Sequence, residues 1–267
     1  MKTFTKDSLK NELRQIAESG WHESHRDTSK ARNDGAAGNL LEKLLGIEEN
    51  NLPLPNANEW ELKVQRSTSS SLVTLKHIEP SPRGMKFVPD VLLPMYGWKH
   101  ADSGGKYAAN ERSFRMTMNG ASRTDRGFMV VIEGERLRVS FDSSSVSSRH
   151  AEWLANVDKA VGLSDLDPAP YWGLADLRSA LGSKLQNAFF VTADVEKRDG
   201  KEWFRYSRAE MLTGFSLEGF LACLGDSVAN VEFDARTGHN HGTKFRVKSS
   251  AIPRLYESRD VVFDYSG

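Results

Sequence analysis

The stretch PNANEWELKVQ, residues 55–65, opens on a turn and closes on strict alternation. Trp60, Leu62 and Val64 are apolar, and Glu61, Lys63 and Gln65 between them are polar. A period of two belongs to a β-strand with one buried face, because successive side chains point to opposite sides. Residues 60–65 are therefore predicted to be a strand on which Glu61 and Lys63 share a face. A carboxylate and an ammonium held this way suit metal-dependent phosphodiester hydrolysis. The carboxylate binds Mg²⁺, which polarises the phosphate and acidifies a water, and the lysine orients that water and offsets charge on the phosphate. On spacing alone, a solvated strand face with a cross-charge pair is the plainer reading. The similar triplet Asp199-Gly200-Lys201 straddles a predicted hairpin turn and forms no such pair.

Outward from that strand, the elements alternate. Leu9, Leu13 and Ile16 form one stripe of a helix that Thr5 or Asp7 can cap and Gly20 can end. A second helix, 38–45, carries Glu42 and stops at Gly46. A strand is expected at 72–78, then loops through the Pro-rich region 80–94 and the Gly/Ser/Asn-rich region 101–122. Segments 127–132 and 136–141 form a hairpin about Glu133-Gly134, and a helix at 174–185 leads into a strand at 188–195. The strand at 201–206 is followed by expected helices at 208–213 and 216–224, strands at 231–236 and 243–248, and a C-terminal helix after Pro253. Mixed helices and antiparallel hairpins argue for a mixed α+β (α/β) fold rather than a regular βαβ repeat.

Composition narrows the function classes. In 267 residues, 36 Lys+Arg balance 36 Asp+Glu, which excludes a polybasic protein held to nucleic acid by bulk charge but not a local basic groove. The one cysteine, Cys223, excludes an intramolecular disulfide framework and Cys-rich zinc modules, and its apolar neighbours mark it as a core thiol. No apolar run nears the ~20 residues of a membrane span, and the N-terminus lacks the apolar middle of a signal peptide, so a cytoplasmic location is the default expectation. Motifs for acyl hydrolysis on an α/β-hydrolase frame, P-loop nucleotide hydrolysis and dinucleotide binding are missing from the sequence.

A second constellation runs Asp234-x-Arg236-x-x-His239-x-His241-Gly242, ending at Arg246. Arginine can pair with guanine at a groove edge, histidine can read guanine acceptors, and aspartate can accept from cytosine N4. A solvated hairpin loop between two strands is the plain alternative. A His239/His241 metal site lacks a clear third ligand. The basic loop 21–37, with Lys30 and Arg32, and the stretch 101–126, with Lys106, Arg112, Arg115, Arg123 and Arg126, fit phosphate contact or simple solvation about equally.

The run DGAAGNLLEKLLGIEENNLPLPNANEWELK (34–63), followed by SSLVTLKHIEPSP (70–82), resembles the MvaI/BcnI type II restriction endonucleases, relatives of the MutH mismatch-repair nicking enzyme. MKTFTKDSLKNELRQI, YWGLADLRSALGSKLQNAFFV and TGHNHGTKFRV resemble family segments in the same order, leaving 85–165 as the weakest part. The resemblance implies a MutH-like PD-(D/E)xK nuclease core in which two lobes flank a DNA cleft. A catalytic lobe would span about 1–160 with its metal site at 42–63, and a recognition lobe about 165–250, with the C-terminal helix packing back. It implies Glu42 as the helix glutamate, Glu61 as a metal carboxylate and Lys63 as the catalytic lysine. Asn56 stands where the family pattern has its principal metal-binding aspartate, and an amide oxygen is a weaker ligand for a hard cation. The chain is thus expected to be an inactivated version of the enzyme or a natural variant that binds without cutting.

The resemblance also implies base reading by the 229–248 region and by His77, and Mg²⁺ as cofactor with Mn²⁺ as substitute. The expected partner is double-stranded DNA, bound by a monomer that nicks each strand in turn at a CC-x-GG-like site with a G/C centre, beside a cognate DNA methyltransferase in the host. Two rival expectations are a DNA-binding protein without nuclease activity and a MutH-like strand-nicking repair enzyme.

Overall fold

A computed structural model describes residues 4–25, 35–47, 57, 59–68 and 71–266. Asn56, Lys30 and Arg32 lie outside the described residues. Two compact units make up the chain, and neither is continuous in sequence.

The first unit comprises Met1–Val73, Leu181–Leu217 and Ile252–Gly267. Its five-stranded sheet is organised on the long strand Lys201–Phe215, which pairs antiparallel with Asn187–Arg198 on one side. On the other side the same strand pairs with His22–Glu23 and Tyr256–Asp264. Glu61–Arg66 joins parallel to Asn187–Arg198, with Glu61 opposite Ala188 and Lys63 opposite Phe190. Helix Lys6–Glu18 begins at a capping box in which Thr5 and Ser8 each bond the other's backbone N–H. Helix Ala36–Leu45 ends at Gly46, whose φ of 73° is the left-handed conformation that a glycine cap adopts without penalty. Leu9, Leu13 and Leu41 from these helices pack with Phe189, Val191 and Phe204 of the sheet in one core. The Tyr206 hydroxyl donates to the Ala37 carbonyl at 2.8 Å, satisfying the phenol where no water reaches it.

Two expectations fail in this unit. Residues 208–213, read as helical, continue the Lys201–Phe215 strand. Ala209 to Leu212 are all buried, as in a central strand covered on both faces, and that burial overrides the helical propensity of Ala, Glu, Met and Leu. The expected C-terminal helix is absent. Pro253 sits in a short 3₁₀ segment, Ser249–Leu255, after which Tyr256–Asp264 is a strand. The open edge of Lys201–Phe215 supplies its hydrogen-bond partners.

The second unit comprises Thr74–Ala180 and Glu218–Ala251. A six-stranded sheet runs in the order Leu72–His77, Lys244–Lys248, Ala229–Arg236, Arg112–Met118, Trp98–Lys99, with His239–Asn240 hairpinned onto Ala229–Arg236. A three-stranded sheet holds Arg126–Glu133, Arg136–Val146 and Tyr171–Gly173. Phe114, Phe128, Phe141 and Trp153 form a chain of tilted and edge-to-face rings at its core.

The expected loop at 101–122 contains the strand Arg112–Met118. Its alternation is hidden by the Gly- and Asn-rich flanks. The Pro-rich region likewise holds two short helical turns, Val88–Leu92 and Leu93–Tyr96, each with proline near its start, where the missing N–H costs nothing. The lobe boundaries expected from sequence shift accordingly. Residues 74–160 belong with the second unit, and 181–217 and 252–267 with the first. Strand pairing is the cause, since Glu61–Arg66 finds its parallel partner only at Asn187–Arg198.

Candidate functional site

Glu61 begins an edge strand, and its side chain is only 1% exposed. The reading of a solvated pair therefore does not hold. An ionised carboxylate is costly to bury unless cations or donors compensate it. Two ammoniums meet one of its oxygens: Lys63 Nζ donates to Oε1 at 2.6 Å, and Lys184 Nζ lies 3.5 Å from the same atom. The other oxygen, Oε2, is buried and has no hydrogen-bond partner among the described residues. Glu61 and Lys63 are thus brought together, as their spacing predicts.

Lys184 is not singled out by its sequence context. It lies in the last turn of helix Leu174–Leu185, three residues before the strand Asn187–Arg198 starts beside Glu61. Only the pairing of Ala188 with Glu61 makes it a neighbour. Tyr256 is a second residue missed from sequence. Burial pushes its phenol pKa up, and the negative charge of Glu61 pushes it further, so the phenol stays protonated beside the carboxylate.

Glu42 lies half-buried on helix Ala36–Leu45, which packs against the Glu61–Arg66 strand. Asn56, the other expected ligand position, is outside the described residues. Among the described residues no group of three His, Cys, Asp or Glu side chains is placed to hold a metal ion. What Glu61 itself offers is one carboxylate oxygen, buried and without a hydrogen-bond partner among the described residues, while Lys63 and Lys184 meet the other. A hard, oxygen-seeking cation fits that donor.

The second unit carries a charged sheet face. On Ala229–Arg236, residues Glu232, Asp234 and Arg236 share one side, while Val231, Phe233 and Ala235 are buried on the other. The pairings bring Arg115 opposite Asp234, Lys244 opposite Glu232 and Arg246 opposite Asn230. Asp234 takes Arg115 Nε at 2.8 Å on one oxygen and Lys244 Nζ at 2.9 Å on the other. Burial pushes its carboxyl up, but the Lys244 hydrogen bond and the charges of Lys244, Arg115 and His241 outweigh burial and hold it below the usual range. Arg246 pairs with Glu232 at 2.7 Å. Arg236 pairs with Glu111 at 3.0 Å and lies 4.7 Å from the Tyr107 ring centre.

The expected readers at the sheet's end also meet. The His239 and His241 rings are 4.2 Å apart, edge to face. His77 and His241 line a cleft of about 570 Å³ with Glu79, Arg83 and Lys86. Glu79 accepts from the Thr243 backbone N–H at 2.8 Å and from its hydroxyl at 3.2 Å, tying the histidine loop down. Gly242, at φ 81°, permits that approach, because a Cβ there would stand 3.3 Å from Glu79 Oε1 and 3.4 Å from His77 Cδ2.

Several basic residues of 101–126 hold structure. Arg112 donates to the Pro94 and Gly97 carbonyls, Arg123 to Gly127, and Arg126 stacks on Trp98 and Trp153. Asp199 and Gly200 form the hairpin turn read from sequence, both at positive φ.

The family model for MvaI/BcnI restriction endonucleases matches residues 10–256. Among solved structures, the chain is similar to the restriction endonuclease MvaI–cognate DNA substrate complex, at 20% identity and a TM-score of 0.73, over 97% of this chain and 100% of that one. It is also similar to MvaI in the absence of DNA, at 22% identity and a TM-score of 0.55, over 98% and 100%. A search of curated proteins matches none. No helix among the described residues is long and apolar enough to cross a membrane. A mixed α+β chain matched over nearly its whole length leaves one assignment: it belongs to the MvaI/BcnI restriction endonuclease family, the type II site-specific deoxyribonucleases.

Proposed function

We propose that Glu61, Lys63, Glu42 and the residue at position 56 form a PD-(D/E)xK nuclease centre of MutH-like type, which hydrolyses DNA phosphodiesters with Mg²⁺, or Mn²⁺ in its place. The observation that carries this reading is the Glu61 carboxylate, buried, with one oxygen taken by lysines and the other unpaired. A divalent cation held by Glu61 and residue 56 would polarise the scissile phosphate and make a nearby water more acidic.

The chain's own groups do the rest. Lys63, anchored through Glu61, directs an ammonium at the incoming phosphate and can hold the attacking water by its N–H bonds. Lys184 adds a second positive charge against the negative charge that builds on the phosphate. Tyr256, kept protonated, adds no anion near Glu61.

With Asn56 in place of a carboxylate, the chain binds its site and cuts very slowly. The protein acts as a monomer that nicks each strand in turn at a CC-x-GG-like sequence with a G/C centre. Asp234, Arg236, His239, Arg246 and His77 meet bases, and Lys30 and Arg32 meet phosphates. The cell that makes it is expected to carry a matching methyltransferase, with both proteins in the cytoplasm.

The test is plasmid cleavage in Mg²⁺ by the Asn56→Asp variant. Linear product supports the reading. Open circle alone supports a strand-nicking repair enzyme, and unchanged plasmid supports a binding protein without nuclease activity.

A further inference from the structure

We infer that Arg115 is a guanine-reading residue of this protein, held in its reading pose by Asp234. The inference rests on the proposal that the second unit reads DNA bases. Among the arginines of the charged sheet face, two are engaged through their terminal nitrogens. Arg246 Nη1 bonds Glu232, and Arg236 Nη1 bonds Glu111 while its guanidinium lies over Tyr107. Their side chains are 24% and 31% exposed. Arg115 differs on both counts. Its side chain is 62% exposed, and its contact with Asp234 is made through Nε at 2.8 Å.

That geometry has a chemical consequence. With Nε the nitrogen that meets the carboxylate and the side chain largely exposed, the terminal fork is the end that Arg115 offers to a ligand. The O6 and N7 acceptors of guanine take such a fork bidentately. The anchor is itself rigid. Asp234 is only 10% exposed, its second oxygen is held by Lys244 at 2.9 Å, and its backbone sits in the sheet opposite Arg115. With each oxygen already met by a cation from within the protein, Asp234 acts also as a positioning residue for Arg115. Less rotamer freedom then remains to be lost when the base arrives.

Selection from a duplex DNA pool with a randomised core tests this, using the full chain as it stands. The unsubstituted protein is expected to enrich a short site containing guanine. Arg115→Lys, which keeps the charge but loses the planar fork, is expected to lose the preference for guanine at one position by about tenfold to a hundredfold. Its binding to random duplex at the same salt should stay within about threefold. Asp234→Asn, which removes the charge that holds Nε, is expected to relax the same position less strongly.

Arg115→Lys enriching the same site with undiminished preference would overturn the inference. So would losses that fall equally on selected and random DNA, which would make Arg115 an electrostatic contact only. A normal circular dichroism spectrum separates either result from misfolding, and Asp234→Asn supplies the answer if Arg115→Lys fails to fold. If the unsubstituted chain enriches no site, the base-reading proposal itself fails, and that result is distinct from a failure at Arg115.

Discussion

Lys184 Nζ lies 3.5 Å from Glu61 Oε1, the oxygen that Lys63 holds at 2.6 Å, although 123 positions separate Lys184 from Glu61 (184 − 61). The two lysines crowd one oxygen of the carboxylate, and Oε2 has no hydrogen-bond partner among the described residues. A buried carboxylate flanked this way is the centre of the proposed site, and its behaviour can be measured in several ways.

Restoring the expected charge is the first. Asn56→Asp should raise Mg²⁺-dependent cleavage by several orders of magnitude over the chain as it stands, with little change in specific binding. In that background Glu61→Ala or Lys63→Ala should abolish cleavage and leave binding within about tenfold, since neither group faces a base in the proposed arrangement. Lys184→Met should slow the cleavage step while leaving the amount of DNA bound unchanged. Single-turnover kinetics on a plasmid, alongside a binding assay, reads these out, and equal loss of binding and cleavage would count against the roles given.

Cation binding can be read without any cleavage. If Glu61 holds a divalent cation with residue 56, Mn²⁺ should raise the melting temperature of the Asn56→Asp protein. The stabilisation should reach about 2.7 kcal/mol at a hundredfold excess over the dissociation constant. The shift should be smaller with Asn56 and absent in Glu61→Ala. A shift of the same size in all three proteins would place the cation elsewhere.

Arg66 and Glu202 form a buried two-bond pair, at 2.6 and 2.9 Å, in the sheet that carries Glu61. Removing one partner strands a charge, so Glu202→Ala should cost about 3–5 kcal/mol in denaturant unfolding. The double variant Arg66→Met/Glu202→Leu should lose far less, because no unpaired charge remains. A double variant as unstable as the single one would mean that the pair is worth more than its desolvation cost.

Asp234 contributes a definite pH dependence to the stability of the second unit. Its carboxyl lies below the ordinary value in the folded chain, because the Lys244 hydrogen bond and neighbouring cations outweigh burial. A depressed carboxylate contributes stability that is fully present above the unfolded value of about 3.9 and is lost as pH falls through the lower folded value. The stability difference between the unsubstituted chain and Asp234→Asn should therefore be flat from about pH 5 to 8 and shrink only below about 4. Denaturant midpoints across that range check it, and a difference that changes near pH 6 would point to a histidine instead.

Local pattern in the sequence determined the elements whose signal is local. Capping at Thr5, the stop at Gly46, the alternation through Glu61 and Lys63, and the turn at Asp199-Gly200 each need only near neighbours. It also carried the family resemblance and the approach of Glu61 to Lys63, because positions i and i+2 share a strand face by covalent geometry. Tertiary structure decided the rest. Residues 208–213 became strand because burial between two partner strands outweighs helix propensity, and Tyr256–Asp264 became strand because an open sheet edge needed a partner. Lys184 and Tyr256 joined Glu61, and Arg115 joined Asp234, through strand pairings between segments far apart in the chain. Register between distant strands is set by burial summed over whole faces, a quantity that no short window of sequence contains.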